Sequence, residues 1–105
     1  MEKPNLNYIQ QISGGDKDFE ASMLTILKEE FIKELSLIKK NFKKEDYIQL
    51  SFNIHKIKHK ISILGMEKSF ELASEIEQEI KNGNTEQYAN LIIILERIGV
   101  YLSDK

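Results

Sequence analysis

The sequence predicts an all-α fold, an antiparallel four-helix bundle preceded by a short N-terminal helix. Apolar residues recur at three- and four-residue spacing through most of the chain, the period that places them on one face of a helix. No segment alternates between apolar and polar residues as a half-buried strand does. The single proline stands at position 4, before every predicted helix. With 105 residues, we expect one domain over residues 1–105.

Glycines and capping residues predict where the first two helices begin and end. A short helix is predicted over Leu6–Ile12, and it ends at Ser13-Gly14-Gly15 because glycine continues a helix only at a cost. The first long helix is predicted to begin after Asp16, a good N-cap residue, and to end near Phe42.

Three further amphipathic helices complete the predicted bundle. They extend from near Asp46 to about Leu64, over Glu67–Lys81, and from Thr85 to about Leu102. Asn82-Gly83-Asn84 separates the last two. Because the turns between helices are short, antiparallel packing is the simplest arrangement.

Composition excludes several classes of function. The formal net charge of -2 and the pI near 5.7 argue against a general nucleic-acid binder. The chain has no cysteine, and therefore no disulfide or thiolate chemistry. The start of the chain lacks the apolar region of a signal peptide, and the longest strictly aliphatic run, Leu91–Leu95, is too short to span a membrane. We therefore expect a cytoplasmic protein that binds neither nucleic acid nor membranes.

The segment from Tyr47 to Met66 contains no Asp or Glu, although the chain has 17 acidic residues. It carries five basic or titratable side chains, namely His55, Lys56, Lys58, His59 and Lys60. On a helical wheel, His55 lies opposite the predicted core residues Leu50, Ile54, Ile57, Ile61 and Leu64. An exposed imidazole with cationic neighbours and no carboxylate nearby is suited to holding an anionic group.

A second apolar face surrounds His55 on this helix. Ile48, Phe52, Ile63 and Met66 fall within roughly 80° of it on the wheel. Another helix of the bundle covers them, or they form a docking surface for a partner. We expect Ile48 and Met66, at about 20° from His55, to be docking residues, and Phe52 and Ile63 to take either role. The expected partner-binding set is completed by two polar residues, His59 and Ser62.

The residues that follow His55 resemble the signature of histidine phosphotransfer (HPt) domains, which has an apolar residue at +2, Lys at +3, an apolar residue at +9 and Gly at +10. These offsets are occupied by Ile57, Lys58, Leu64 and Gly65. The apolar-Glu pair that usually follows at +21 and +22 is matched by Ile76 and Glu77, and the family's common Gly-Gly-Asp by Gly14-Gly15-Asp16. The chain departs from the signature at +4, where the family usually has Gly and this chain has His59.

The resemblance implies a phosphorelay intermediate that is not itself an enzyme. His55 would accept a phosphoryl group from the aspartate of a receiver domain and pass it to another receiver, and Lys58 would offset the charge of that group. Gly65 would have a structural role. We expect replacement of Lys58 to slow transfer and to leave stability nearly unchanged.

The resemblance also implies the partners, which are response-regulator receiver domains and a hybrid sensor histidine kinase. The chain is expected to act as a monomer. It is expected to bind no cofactor or metal, since the divalent metal of the reaction would be held by the receiver.

Three other functions are considered. A helical adaptor would bind receiver or kinase domains without phosphotransfer. A zinc site at His55 and His59 would need carboxylates to complete it, because the chain has no other His and no Cys. A dimerising sensor-kinase helix usually has an acid directly after its His and Pro at +5, where this chain has Lys56 and Lys60.

Overall fold

The structure is a computed structural model and describes residues 2–105. Within this range it contains five α-helices and no strand, which confirms the predicted all-α class and the short N-terminal helix. The helices are α1 (Asn7–Ser13), α2 (Lys17–Lys43), α3 (Tyr47–Ile63), α4 (Glu67–Lys81) and α5 (Tyr88–Ser103). Between residues 2 and 105, no helix has both the length and the apolar character needed to cross a bilayer.

Side-chain caps define where α2 and α3 begin. The carboxylate of Asp16 accepts a hydrogen bond from the backbone N–H of Phe19 at 3.0 Å, and that of Asp46 accepts one from Gln49 at 3.1 Å. The start of α5 differs from the prediction by three residues. Asn84 accepts a hydrogen bond from the N–H of Glu86 at 2.9 Å, and this local turn delays the helix until Tyr88.

Helix α3 lies against both α2 and α4, and α5 packs against the same two helices. Helices α2 and α3 run antiparallel, since Asn41 bonds Asn53 at 2.6 Å and Glu34 pairs with Lys60 at 2.8 Å. The predicted core arc of α3 is fully buried in Leu50, Ile54, Ile57, Ile61 and Leu64. Burial of this arc turns the opposite face of α3 outward.

Residues 2–6 cross the turn between α3 and α4. The N–H of Asn5 donates to the carbonyl of Leu64 at 2.8 Å. The carboxylate of Glu2 accepts from the N–H groups of Ser69 at 2.8 Å and Lys68 at 3.0 Å. Helix α4 has no side-chain cap at its own N-cap residue, so Glu2 supplies this cap from the start of the chain.

Gly65 sits at the centre of that turn, with a φ of +77°. A Cβ atom at this position would lie 2.5 Å from Asn5 Nδ2. Both the left-handed backbone and the close approach of Asn5 require glycine here. The turn sets how α4 returns along α3, and thereby which residues of α4 lie beside His55.

Candidate functional site

His55 projects from the middle of α3 on its outward face, and its side chain is 54% exposed. The neighbouring residues Ile54 and Ile57 are completely buried, so the helix cannot rotate without exposing its core face. His55 is therefore an accessible imidazole on a helix that is held in place by its buried face.

A carboxylate lies directly beside this imidazole. Nδ1 of His55 is 3.2 Å from Oε2 of Glu77, a buried residue of α4. The sequence led us to expect no carboxylate near His55, and that expectation is wrong. The acid-free segment covers α3 alone, whereas packing of α4 on α3 brings in an acid 22 residues further along the chain.

Glu77 is held by two lysines as well as by His55. Lys58 Nζ is 2.9 Å from Oε1, and Lys81 Nζ is 3.3 Å from Oε2. Burial alone would raise the pKa of Glu77, but the ion pairs with Lys58 and Lys81 and the hydrogen bond with His55 outweigh it, so the pKa lies below its ordinary value. Glu77 is therefore ionised at neutral pH.

The ionised carboxylate determines which ring nitrogen of His55 carries the hydrogen. A carboxylate only accepts hydrogen bonds, so the ring nitrogen that faces it, Nδ1, carries the hydrogen. Within residues 2–105, Nε2 makes no hydrogen bond. In the neutral imidazole Nε2 thus holds the free lone pair and is the nucleophilic atom.

Lys58 is fixed in the packing between α3 and α4. Its side chain is only 14% exposed, and its Nζ lies 5.5 Å from the centre of the Phe70 ring. The expectation that Lys58 matters little for the fold does not fit this environment, because its ammonium group neutralises a buried carboxylate. Lys81, by contrast, is 48% exposed. Its i,i+4 spacing from Glu77 places both side chains on one face of α4, and this signal was readable in the sequence.

His59 follows His55 by one turn on the exposed face of α3. The His55 and His59 rings meet edge to face, with centroids 5.1 Å apart. The His59 ring also contacts the Phe70 ring, and the centroids of these two rings are 6.1 Å apart. Within residues 2–105 no group of three or more His, Asp or Glu side chains is arranged to hold a metal ion.

The expected docking residues fall into three groups. Ile48 and Phe52 are 72% and 59% exposed. Ser62 is also exposed, while Ile63 is half-buried. Met66, which the helical wheel placed on this face, is only 1% exposed.

The expectation for Met66 is therefore wrong, and the turn explains why. Helix α3 ends at Ile63, and Gly65 then takes a left-handed conformation. The wheel of α3 does not continue to Met66, which instead occupies the N-cap position of α4 and packs into the core.

An apolar cleft of about 310 Å³ opens beside His59, between α1, α2 and α3. It is lined by Ile9, Met23, Ile26, Leu27, Ile63, His59, Lys60 and Glu30. Lys60 is anchored there by Glu34 at 2.8 Å and Glu30 at 3.4 Å. The signal for this cleft was weak, because it combines residues from three helices.

Comparison with known proteins gives one finding for this chain. The profile of the Hpt domain family matches residues 22–98, a range that includes all of α3 and α4 with His55, Lys58 and Glu77. Comparisons with curated proteins and with solved structures find no significant match.

Proposed function

This chain belongs to the Hpt domain family, and from that premise we propose that it accepts a phosphoryl group on His55 from a receiver-domain aspartate and passes it to another receiver domain. Membership of the family implies a part in a two-component phosphorelay. The observation that supports phosphoryl transfer at His55 is the contact of its Nδ1 atom with Glu77. It leaves Nε2 as the accessible nucleophile on an exposed side chain.

The transfer is a substitution at phosphorus. The lone pair of His55 Nε2 forms the N–P bond, the bond from phosphorus to the aspartyl oxygen breaks, and the receiver carboxylate leaves with that electron pair. The ring retains its Nδ1 hydrogen and becomes a phosphoimidazolium. Glu77 stabilises the positive charge on this ring, as the carboxylate of a catalytic triad does for its imidazolium. The reverse substitution passes the group to the next receiver.

The lysines supply charge for the incoming phosphoryl group. Glu77 carries one negative charge, while Lys58 and Lys81 both contact it, so the cluster is positive before His55 is counted. This favours a phosphoryl group on the adjacent ring nitrogen. The family resemblance implies that Lys58 offsets the charge of the phosphoryl group, and in this proposal it does so while paired with Glu77.

In this proposal the chain is a carrier rather than an enzyme, and residues 1–105 form one antiparallel four-helix domain with α1 added. The short turns between contacting helices support that arrangement. Hpt domains interact with receiver domains and kinases. In this proposal the partners of the chain are receivers and a hybrid sensor histidine kinase, and the chain binds them as a monomer. The exposed face that meets them comprises Ile48, Phe52, His59, Ser62 and Ile63. The receiver holds the divalent metal of the reaction, and this chain binds no cofactor.

The test is labelling by receivers that carry a radioactive aspartyl phosphate. We expect wild type to gain an acid-labile label, and His55→Gln to gain none while keeping the melting temperature of wild type. His59→Gln is the matched control and should still be labelled. A label that persists in His55→Gln would contradict the proposal, whereas receiver binding without any label would favour the adaptor function.

A further inference from the structure

We propose that His59 selects which receiver domains reach His55, and thus acts as a specificity-determining residue of this site. The inference rests on the proposed function, which supplies the receiver as the partner. It is carried by the position of His59, by the contacts that hold its ring, and by the hydrogen-bonding capacity that these contacts leave unused.

Position makes contact with His59 unavoidable. The centroids of the His55 and His59 rings are 5.1 Å apart, and both side chains are exposed. A stable protein interface covers about 800 Å² on each partner, which corresponds to a patch roughly 30 Å across. The distance between the two rings is much smaller than this. Any receiver surface that brings phosphorus to Nε2 of His55 therefore also covers His59.

The His59 ring lies between two other aromatic rings. It meets the His55 ring at an interplanar angle of 83° and lies 6.1 Å from the Phe70 ring, which is tilted by 46° to it. Side chains on a helix choose among few rotamers because the preceding turn blocks the rest. A receiver that docks on His55 must therefore accommodate this ring.

The contacts of His59 leave its hydrogen-bonding groups unused. Within residues 2–105 the His59 ring makes no hydrogen bond or ion pair, and its aromatic contacts are with His55 and Phe70, so the N–H of the imidazole is available to a partner. No acid on α3 competes for it, and Glu77 is buried and already held by Lys58 and Lys81. The acid that lines the cleft beside His59 is Glu30, and it pairs with Lys60 at 3.4 Å.

This chemistry defines the receiver that fits. A receiver with a carboxylate, amide or carbonyl oxygen facing His59 satisfies the imidazole N–H on docking. A receiver with a bulky aliphatic side chain there leaves that N–H buried without a partner, or collides with the ring. His59 therefore favours the first kind of receiver and rejects the second.

The experiment measures kcat/KM for phosphotransfer from a panel of phosphorylated receivers to wild type and three variants. His59→Ala removes the ring, His59→Phe keeps its bulk without the nitrogens, and His59→Gln keeps a donor without the ring. We expect His59→Ala to reduce the ratio between the best and worst receivers by about tenfold or more, the worth of one discriminating contact. His59→Phe should slow the best receivers and still reject the worst, and His59→Gln should retain the best. Gln49→Ala, at an exposed residue elsewhere on α3, is the control and should leave all ratios unchanged.

Unchanged receiver ratios in His59→Ala would overturn the inference, while labelling of His55 would leave the proposed function intact. If wild type gains no label from any receiver, phosphotransfer does not occur. Discrimination between receivers is then measured as the ratio of their dissociation constants, determined by calorimetry. Affinities that converge in His59→Ala support the inference in that case, and affinities that keep their order overturn it. A panel that neither binds nor transfers overturns both.

Discussion

The buried carboxylate of Glu77 holds the exposed imidazole of His55 at 3.2 Å through Nδ1. This contact links the chemistry of α3 to the packing of α4, because Glu77 can stay ionised in the interior only while Lys58 and Lys81 surround it. The orientation of the nucleophile thus depends on an ion cluster that also contributes to the stability of the bundle. The two effects separate in the variants described below.

Glu77→Gln tests the role of the carboxylate in transfer. The amide is nearly isosteric and its oxygen accepts the Nδ1 hydrogen, but it carries no charge to stabilise the phosphoimidazolium ring. We expect the phosphotransfer rate to fall by about 2- to 30-fold, since a charged hydrogen bond is worth roughly 1.5–3 kcal/mol against about 1 for a neutral one. Single-turnover transfer kinetics measure this. Glu71→Gln, at an exposed position of the same helix, is the control, and equal rates in both variants would contradict the role of Glu77.

The pH dependence of stability tests the charge state of Glu77. Its pKa in the folded protein is lowered from the ordinary value of 4.5, so its ionised form stabilises the fold above that value. This stability is lost as the pH falls through the folded-state pKa. Below about pH 4.5, we expect the unfolding free energy of wild type to fall more steeply with decreasing pH than that of Glu77→Gln. Urea unfolding at a series of pH values measures both slopes, and parallel curves would show that Glu77 does not contribute.

The two lysines of the cluster should differ in their effect on stability. Lys58 is 14% exposed and Lys81 is 48% exposed. We expect Lys58→Ala to lower the unfolding free energy by about 1–3 kcal/mol, because it leaves a buried carboxylate short of a partner. Lys81→Ala should cost less than about 1 kcal/mol, since water screens an exposed ion pair. Chemical denaturation gives both values, and the reverse order would mean that Lys81 is the main counter-charge of Glu77.

The sequence was sufficient for the helices and for the core face of α3, because both follow from apolar periodicity and local capping. Asp16 and the Leu50–Leu64 arc illustrate this. Glu77 was visible only as a match to a family pattern, since its contact with His55 arises from packing between two helices. Nothing in local spacing reports which acid of α4 faces which residue of α3.

Met66 and Gly65 show a second limit of the sequence pattern. A helical wheel assumes that the helix continues, but the +77° φ of Gly65 redirects the chain before Met66. The position of the glycine was readable in the sequence, whereas the packing of Asn5 over the turn and of Met66 into the core arises from distant parts of the chain. The wheel therefore placed Ile48 correctly outside and Met66 incorrectly.

The exposed apolar residues beside His55 give the last prediction. Ile48 and Phe52 are accessible large side chains that line a small depression together with Tyr47, Ser51 and Lys81. Ile48→Lys and Phe52→Lys should leave the melting temperature nearly unchanged, because both positions already face water. If these residues form the receiver-docking face, both substitutions should raise the dissociation constant for receivers by about tenfold or more.

Met66→Ala is the matched contrast, because Met66 is buried. It should lower the unfolding free energy by about 2–5 kcal/mol and leave receiver affinity unchanged at temperatures where the variant is folded. Calorimetric binding and thermal denaturation on the same samples separate the two effects. Lysine variants of Ile48 and Phe52 that bind receivers as tightly as wild type would remove both residues from the docking face, and would shift attention to the apolar cleft on the other side of His59.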